Sequence, residues 1–332
     1  MIGTLAATLL LSQAQAPQIG PGKVRALFIG VDTYTNGEKR AMRGDLDAQR
    51  MAHLFRFQLG VPAENVKVLD QHKDLTKKRI LEEIDNWLIG KSNKDDALVL
   101  YWSGQASSFS QPDGRQINAI IPIDYSVTPD GKSVMGNSLI FTKELRTRFS
   151  AAKKTRGLKD LLWIVDSTFS PDSIGGEDRY SCLFESQLDE STNTESASIE
   201  DKNPENFVVI NAGSDSKLRS QLELPTGPNG EREPISPLAY AFHRLGNRLT
   251  TYISYLELES ELRAVALETR EDRQPKIVAT SEIKERTLFG GHATTRRNYF
   301  AVGVPNNKQS PFVVVPGKSP ELDPMLPVIP VG

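Results

Sequence analysis

Residues 97–105 read ALVLYWSGQ, and this stretch decides the fold. Ala97–Trp102 is a continuous apolar run, and Ser103, Gly104 and Gln105 form a polar turn directly after it. A short run without alternating polar residues is typical of a strand buried on both faces, as in a parallel sheet. The turn after such a strand lies at the carboxyl edge of the sheet, where open α/β folds collect their functional residues.

The same pattern recurs along the chain. Other short apolar runs, each ending in a polar turn, are Ala26–Val31, Val66–Leu69, Leu161–Val165, Phe207–Asn211 and Ile277–Ala279. Amphipathic helical patterns lie between them, at Asp45–Leu59, Thr76–Leu88, Thr142–Phe149, Pro237–Leu245 and Tyr255–Glu268. Alternating strands and helices predict an α/β sandwich, a mostly parallel six-stranded sheet flanked by helices.

The composition excludes several classes of protein. The 332 residues include 40 Lys+Arg, 42 Asp+Glu, four His and one Cys, with a formal net charge of −2. One cysteine excludes an intrachain disulfide scaffold, and so few Cys and His argue against a zinc site. With a balanced charge and no local cationic patch that stands out in the sequence, no nucleic-acid partner is expected, and no apolar run reaches the ~20 residues of a membrane span. Nothing in the composition indicates an oligomeric state.

The N-terminus resembles an export signal. Leu5–Leu11 is apolar and is followed by small residues at Ser12, Ala14 and Ala16, so residues 1–16 are predicted to be a signal peptide. The segment has no Lys or Arg before Lys23, which departs from the usual basic n-region. We expect an exported protein, periplasmic or extracellular. The alternative is a cytoplasmic protein with an apolar N-terminal extension.

Two stretches depart from the strand and helix pattern. Residues 171–206 contain ten acidic and two basic residues among Ser, Thr and Asn, which predicts a mobile, solvated insertion. Residues 285–332 form a proline-rich tail, which excludes regular helix and central strand over most of its length. A short strand at Phe312–Val315 is compatible with docking at the edge of the domain.

An ordered set of motifs carries a family resemblance. The set consists of Ala26–Gly30 (ALFIG), Asp47-Ala48, Ser103-Gly104-Gln105-Ala106, Asp166-Ser167-Thr168-Phe169-Ser170, residues 207–217 (FVVINAGSDSK), residues 236–242 (SPLAYAF) and residues 274–277 (QPKI). In this order the chain resembles the caspase-like cysteine peptidases, specifically metacaspases and the bacterial orthocaspases, from Lys23 to Ser281. The resemblance implies a caspase-like domain over residues 23–284.

The resemblance also implies that this chain lacks the catalytic residues of the family. The family carries a catalytic His after the third strand and a nucleophilic Cys after the fourth, and Gln105 and Thr168 stand at those positions. Glutamine has no titratable proton, so it cannot serve as general acid or base. A threonine hydroxyl attacks only when a base deprotonates it. Phe169 and Ala106 replace two further motif residues. Because both catalytic residues are substituted, we expect a catalytically inactive pseudopeptidase.

The sequence also offers an alternative nucleophile and two alternative functions. Cys182 lies in the acidic insertion, where neighbouring carboxylates would raise the pKa of its thiol, so it is a weak candidate for a displaced nucleophile. No His follows an apolar strand. A residual endopeptidase with an unconventional nucleophile is one alternative function. A structural or assembly role through the proline-rich tail is another.

Two carboxylates are candidates for ligand binding. Asp47 and Asp166 match the pair that, in metacaspases, lines the pocket for an Arg or Lys side chain. The resemblance therefore implies a peptide or protein partner with a basic residue. The alternative is that Asp47 supports its helix and Asp166 holds its loop. No cofactor is expected, although some metacaspases bind calcium and the acidic insertion contains oxygen ligands of the type calcium prefers.

Overall fold

The computed structural model describes residues 24–34, 43–110, 116–129, 134–167, 207–212, 222–225, 232–269 and 274–289. The strands are β1 (Val24–Gly30), β2 (Val66–Leu69), β3 (Ala97–Ser103), β4 (Ala106–Ser110), β5 (Gln116–Ile120), β6 (Ile140–Phe141), β7 (Leu161–Asp166), β8 (Phe207–Asn211), β9 (Leu222–Pro225), β10 (Arg232–Ile235) and β11 (Lys276–Val278). The α-helices are α1 (Gly44–Phe57), α2 (Lys77–Glu83), α3 (Thr142–Arg156), α4 (Pro237–Leu245), α5 (Tyr255–Glu268) and α6 (Ser281–Lys284).

The main sheet has six strands in the order β11-β8-β7-β3-β1-β2. Neighbouring strands from β8 to β2 are parallel, and β11 pairs antiparallel with β8. All six predicted strands are present, and the predicted mostly parallel sheet flanked by helices is confirmed. β3 is central and every residue in it is buried, as the uninterrupted run at Ala97–Trp102 predicts.

Alternate residues of the strands supply two separate cores, because side chains of a strand point to opposite faces. On one face Phe28 and Tyr101 pack with residues of α1, α4 and α5. On the other face Ile29 and Trp102 pack with residues of α2, α3 and the small sheet β4-β5-β6. The layers are therefore helix, sheet and helix, with the small sheet beside the second helical layer.

Two helices differ from the sequence prediction. The pattern at Thr76–Leu88 divides into α2 and a π-helical segment, Ile84–Ile89. α3 continues past the predicted end at Phe149 to Arg156, where Gly157 terminates it with a φ of 66°. The last turns of α3 are almost entirely polar, so the amphipathic pattern that identified the helix fades before the helix ends.

The sequence prediction missed two antiparallel elements, the sheet β4-β5-β6 and the hairpin β9-β10. β4, β9 and β10 contain serine, charged residues or proline, β5 mixes polar and apolar residues, and β6 has only two residues, so none has the apolar run that identified the main sheet. The core also extends past the predicted boundary at residue 284, because Leu288 and Phe289 are buried among its residues. Among the described residues, no helix is long and apolar enough to cross a membrane.

Several predicted features lie outside the described residues. They are the signal peptide at residues 1–16, the acidic insertion at residues 171–206 and most of the tail at residues 285–332.

Candidate functional site at the carboxyl edge of the sheet

The N-terminus of α1 packs directly against the carboxyl ends of β1 and β3. A Cβ atom at Gly44 would lie 2.4 Å from the carbonyl oxygen of Val31 and 2.5 Å from that of Ser103. Only glycine permits this approach, since real Cβ atoms do not come so close to backbone. The close contact brings the first turn of α1, which contains Asp47, to the edge where β3 and β7 end.

Ser236 joins the two predicted carboxylates. It is the N-cap of α4, and its hydroxyl accepts a hydrogen bond from the backbone N–H of Ala239 at 3.0 Å. The same hydroxyl donates to Asp166 Oδ2, and the backbone N–H of Ser236 donates to Asp47 Oδ1 at 3.1 Å. The structure thus brings Asp47 and Asp166 to one place, with Ser236 between them.

Further groups hold the same two carboxylates. The Tyr101 hydroxyl donates to Asp166 Oδ2 at 2.6 Å, and the Ser103 hydroxyl donates to Asp47 Oδ2 at 3.4 Å. Asp166 and Asp47 are only 0% and 2% exposed. Buried carboxylates need such donors to offset the loss of hydration. The two carboxylates therefore converge, and each also accepts hydrogen bonds that connect the elements around it.

Arg50 extends this network to the hairpin β9-β10. Its Nη1 lies 3.8 Å from Asp47 Oδ1 and donates to the carbonyl oxygen of Pro234 at 2.5 Å. Its Nη2 pairs with Glu233 Oε2 at 2.6 Å. One mostly buried guanidinium thus connects α1, a site carboxylate and β10, so the hairpin that precedes Ser236 is fixed beside the site.

Gln105 lies at the end of the turn after β3 and is partly buried. Its backbone N–H donates to the Tyr34 hydroxyl at 2.7 Å. Its carbonyl oxygen accepts from Trp102 Nε1 at 3.2 Å and from the Ile121 N–H at 3.1 Å. The backbone at this position is therefore anchored by three hydrogen bonds, while the side chain carries no group that could transfer a proton at neutral pH.

A second group of charges lies beside α1. Arg43 Nε pairs with Asp45 Oδ1 at 3.2 Å, and this hydrogen bond raises the pKa of the guanidinium. Burial raises the pKa of Asp32, which follows β1, and the negative charge of Asp45 raises it further, whereas Arg43 lowers it. Asp32 and Asp45 add negative charge near the site, and the nearby cation, Arg43, is already paired with Asp45.

Of the remaining residues considered in the sequence analysis, three are not described and two are histidines on helices. Thr168, Phe169 and Cys182 lie outside the described residues. His53 is exposed on α1 and its ring lies 4.2 Å from that of Phe57. Burial, with Arg50 and His53 nearby, lowers the pKa of His243. Within the described ranges, no group of three or more His, Cys, Asp or Glu side chains could hold a metal ion.

Four contributors to the site escaped the sequence analysis: Ser236, Tyr101, Ser103 and Arg50. Ser236 followed by Pro237 is a recognisable helix start, since serine is a favoured N-cap and proline a favoured first helical residue. That signal predicts the cap and gives no information about a contact with residues far away in sequence. The sequence pattern places Tyr101 in the buried strand and Ser103 in the turn after it, and it predicts no hydrogen bond from either residue to a carboxylate.

The fold and the location of the site define an α/β sandwich whose polar groups converge at the carboxyl edge of a mostly parallel sheet. A sequence model of the caspase domain matches residues 23–217, which is more than half of the chain. The chain belongs to the caspase-domain family.

Two relatives show how far this similarity extends. Metacaspase-3 of Arabidopsis thaliana is 27% identical over 122 residues, which cover 34% of this chain and 33% of that protein. The match thus spans about a third of the relative's length. The crystal structure of a Geobacter sulfurreducens protein matches with a TM-score of 0.51 and 15% identity, over 81% of this chain and 99% of that one. At this identity the structure supports the fold alone.

Proposed function

We propose that this caspase-domain chain is a pseudopeptidase that binds peptide or protein segments without cleaving them. A basic residue of the partner, Arg or Lys, docks near Asp47 and Asp166. The single observation that carries the proposal is the convergence of these two carboxylates on Ser236 at the carboxyl edge.

The argument against catalysis starts from Gln105 and Thr168, which the motif resemblance aligns with the catalytic His and Cys of the family. Losing general acid–base catalysis alone costs about 10²–10⁴-fold in rate. Losing the nucleophile removes the covalent route. A chain with both changes lacks the groups that break the peptide bond.

The argument for binding rests on the donors that the two carboxylates now accept from. Asp166 Oδ2 accepts from two hydroxyl groups, and Asp47 accepts from a backbone N–H and a hydroxyl. A guanidinium has five N–H donors in a planar arrangement and replaces neutral donors with charge-assisted hydrogen bonds. We expect an incoming basic side chain to take over hydrogen bonds that Ser236 makes in the ligand-free chain.

Calorimetry with matched peptides tests the proposal. Peptides containing Arg or Lys are titrated into the full chain, with otherwise identical peptides containing Gln as the ligand control. Asp47→Asn and Asp166→Asn should each weaken binding of the basic peptides about tenfold or more, because each removes one charged acceptor. Asp95→Asn is the matched control at the opposite edge of the sheet, and it should leave the affinity unchanged. Circular dichroism confirms that each variant is folded.

Ser236→Ala supplies a second, opposite test. If Ser236 competes with the ligand for Asp166, its removal should strengthen binding of basic peptides by a few-fold. Unchanged affinity in both Asn variants, or equal affinity for the Gln peptides, would refute the docking of a basic residue.

The absence of catalysis has its own test. Reporter peptides with Arg, Lys or Asp should show no turnover with or without calcium. Turnover that disappears in Thr168→Ala or Cys182→Ala would establish an unconventional nucleophile and overturn the pseudopeptidase assignment.

A further inference from the structure

Two segments lie side by side at the amino edge of the sheet, opposite the candidate site. Residues 91–96 lead into β3, and residues 153–160 run from the last turn of α3 to the start of β7. The Asp95 N–H donates to the Gly157 carbonyl oxygen at 3.0 Å. The Arg156 guanidinium donates to the carbonyl oxygen of Gly90, just before the first segment, at 2.9 Å, and to that of Ser92 within it at 3.2 Å. The two segments therefore form one continuous surface.

This surface concentrates positive charge. Its cations, which we call the basic surface, are Lys91, Lys94, Lys153, Lys154, Arg156 and Lys159. The carboxylates within the same two segments are Asp95, Asp96 and Asp160, and the last two are buried at 3% exposure. Asp95 is therefore the only exposed carboxylate among six cations in these segments. Like charges brought so close by the fold favour an anionic neighbour.

The topology of the sheet returns the chain to this end of the strands before β8 begins. β7 and β8 are parallel, so β7 ends at the carboxyl edge with Asp166 while β8 begins at the amino edge with Phe207. The chain between them must cross back over about 20 Å, the length of a six-residue strand. Phe207 is the register partner of Leu161, which directly follows the basic surface.

The stretch that makes this return is the most acidic in the sequence. Residues 171–206 contain ten acidic and two basic residues, and Glu200, Asp201 and Glu205 are the last acids before β8. Because its end is tethered beside the basic surface, its carboxylates are present there at high effective concentration. The chain therefore contains both an acidic segment and a basic surface. The sheet topology places the C-terminal end of the acidic segment beside the basic surface.

We propose that the basic surface is the docking site for the chain's own acidic segment, residues 171–206. This inference is independent of the proposed peptide binding at the carboxyl edge, since it uses other residues at the opposite end of the strands. Other anionic occupants, a second copy of the chain or a nucleic acid, are outcomes that the experiment separates.

Cross-linking of the full chain tests the docking. A carbodiimide joins a carboxylate directly to a lysine amine with loss of water, so it reports only contacting pairs. We expect cross-links within one chain between the acids of residues 171–206 and Lys94, Lys154 or Lys159. Their yield should stay constant on dilution and fall at least fivefold in 1 M salt, where the screening length is about 3 Å.

Charge reversal supplies the second readout. In Lys91→Glu/Lys94→Glu/Lys154→Glu, a glutamate-specific protease should cut residues 171–206 about tenfold faster, because several exposed ion pairs are lost together. The matched control, Lys78→Glu/Arg244→Glu/Arg248→Glu, makes the same change in net charge at exposed positions elsewhere and should leave the cleavage rate unchanged.

Three outcomes would overturn the proposal: no cross-link to the basic surface, cross-links only between chains, or equal cleavage rates in both triple variants. Salt-sensitive binding of a single-stranded oligonucleotide that only the first triple variant loses, without intrachain cross-links, would assign the surface to nucleic acid instead.

Discussion

Both ends of the main sheet bury an aspartate beside β7, and the two carboxylates are held differently. At the carboxyl edge, Asp166 accepts hydrogen bonds from the hydroxyl groups of Tyr101 and Ser236. At the amino edge, Asp160 has no hydrogen bond to either carboxylate oxygen among the described residues, and its Oδ1 lies 3.6 Å from the Arg286 guanidinium. Burial raises the pKa of Asp160, and Arg286 opposes that shift.

The different partners of Asp166 and Asp160 indicate that the two ends of the sheet have different structural roles. Short hydrogen bonds fix the direction of a carboxylate, whereas a longer ion pair only offsets its charge. The carboxyl edge therefore maintains a defined geometry where α1, β3, β7 and α4 meet, as a binding site needs. The amino edge holds a charge whose burial is only partly compensated. Three substitutions test this contrast.

Asp166→Ala should have the largest effect on stability. It leaves two buried hydroxyl groups without the acceptor that they now share, and it removes a side chain that is 0% exposed. We expect a loss of about 3 kcal/mol in the free energy of unfolding, measured by urea denaturation. Asp166→Asn retains a carbonyl oxygen that can accept one of these hydrogen bonds and should lose about half as much. A loss below about 1 kcal/mol in the Ala variant would show that these hydrogen bonds do not stabilise the edge.

The fold was largely predictable from the sequence because its central strands are unambiguous. A run such as Ala97–Trp102 has few alternatives to a buried strand, and its length sets the strand's bounds within one residue. The elements that escaped prediction lack such a run, as in β10, where Glu233 pairs with Arg50 of α1. That pairing joins residues far apart in sequence, and no local pattern encodes it.

The site was predictable in part. The turns after the strands drew attention to Gln105 and Asp166, and the family resemblance added Asp47. Local sequence predicts that a residue lies at a strand end, but the donors that surround a buried carboxylate come from distant elements. Ser236 illustrates the limit: its role as N-cap follows from its neighbours in sequence, whereas its contact with Asp166 follows only from the packing of α4 against the sheet edge.

Ser236→Ala should have an intermediate effect and separates these two roles. It removes the N-cap of α4 and the hydrogen bond to Asp166, for an expected loss of about 2 kcal/mol. Ser254→Ala is the matched control, because the Ser254 hydroxyl caps α5 by accepting from the Glu257 N–H and makes no described hydrogen bond to Asp166. The control should lose about 1 kcal/mol. Equal losses in the two variants, measured by denaturant unfolding, would mean that the bond to Asp166 contributes nothing to stability.

Asp160→Asn should have the smallest effect at neutral pH and a distinct dependence on pH. Because the pKa of Asp160 is raised in the folded chain, the folded state keeps a proton that the unfolded state releases above about 3.9. The stability that this group contributes is therefore present at low pH and falls as the pH rises through the folded-state value. An amide at this position has no charge to bury, so the variant lacks this fall.

Urea denaturation of the Asp160→Asn variant and the natural chain across the acidic and neutral range measures the effect. We expect the difference in unfolding free energy to shift in favour of the variant as the pH rises above about 4, and to remain within about 1 kcal/mol of zero at pH 7. A loss of more than about 2 kcal/mol at pH 7, or a difference that does not change with pH, would show that the ion pair with Arg286 outweighs the burial of the charge. Asp160 and Asp166 would then both stabilise the fold, and the two ends of the sheet would differ only in the groups that contact each carboxylate.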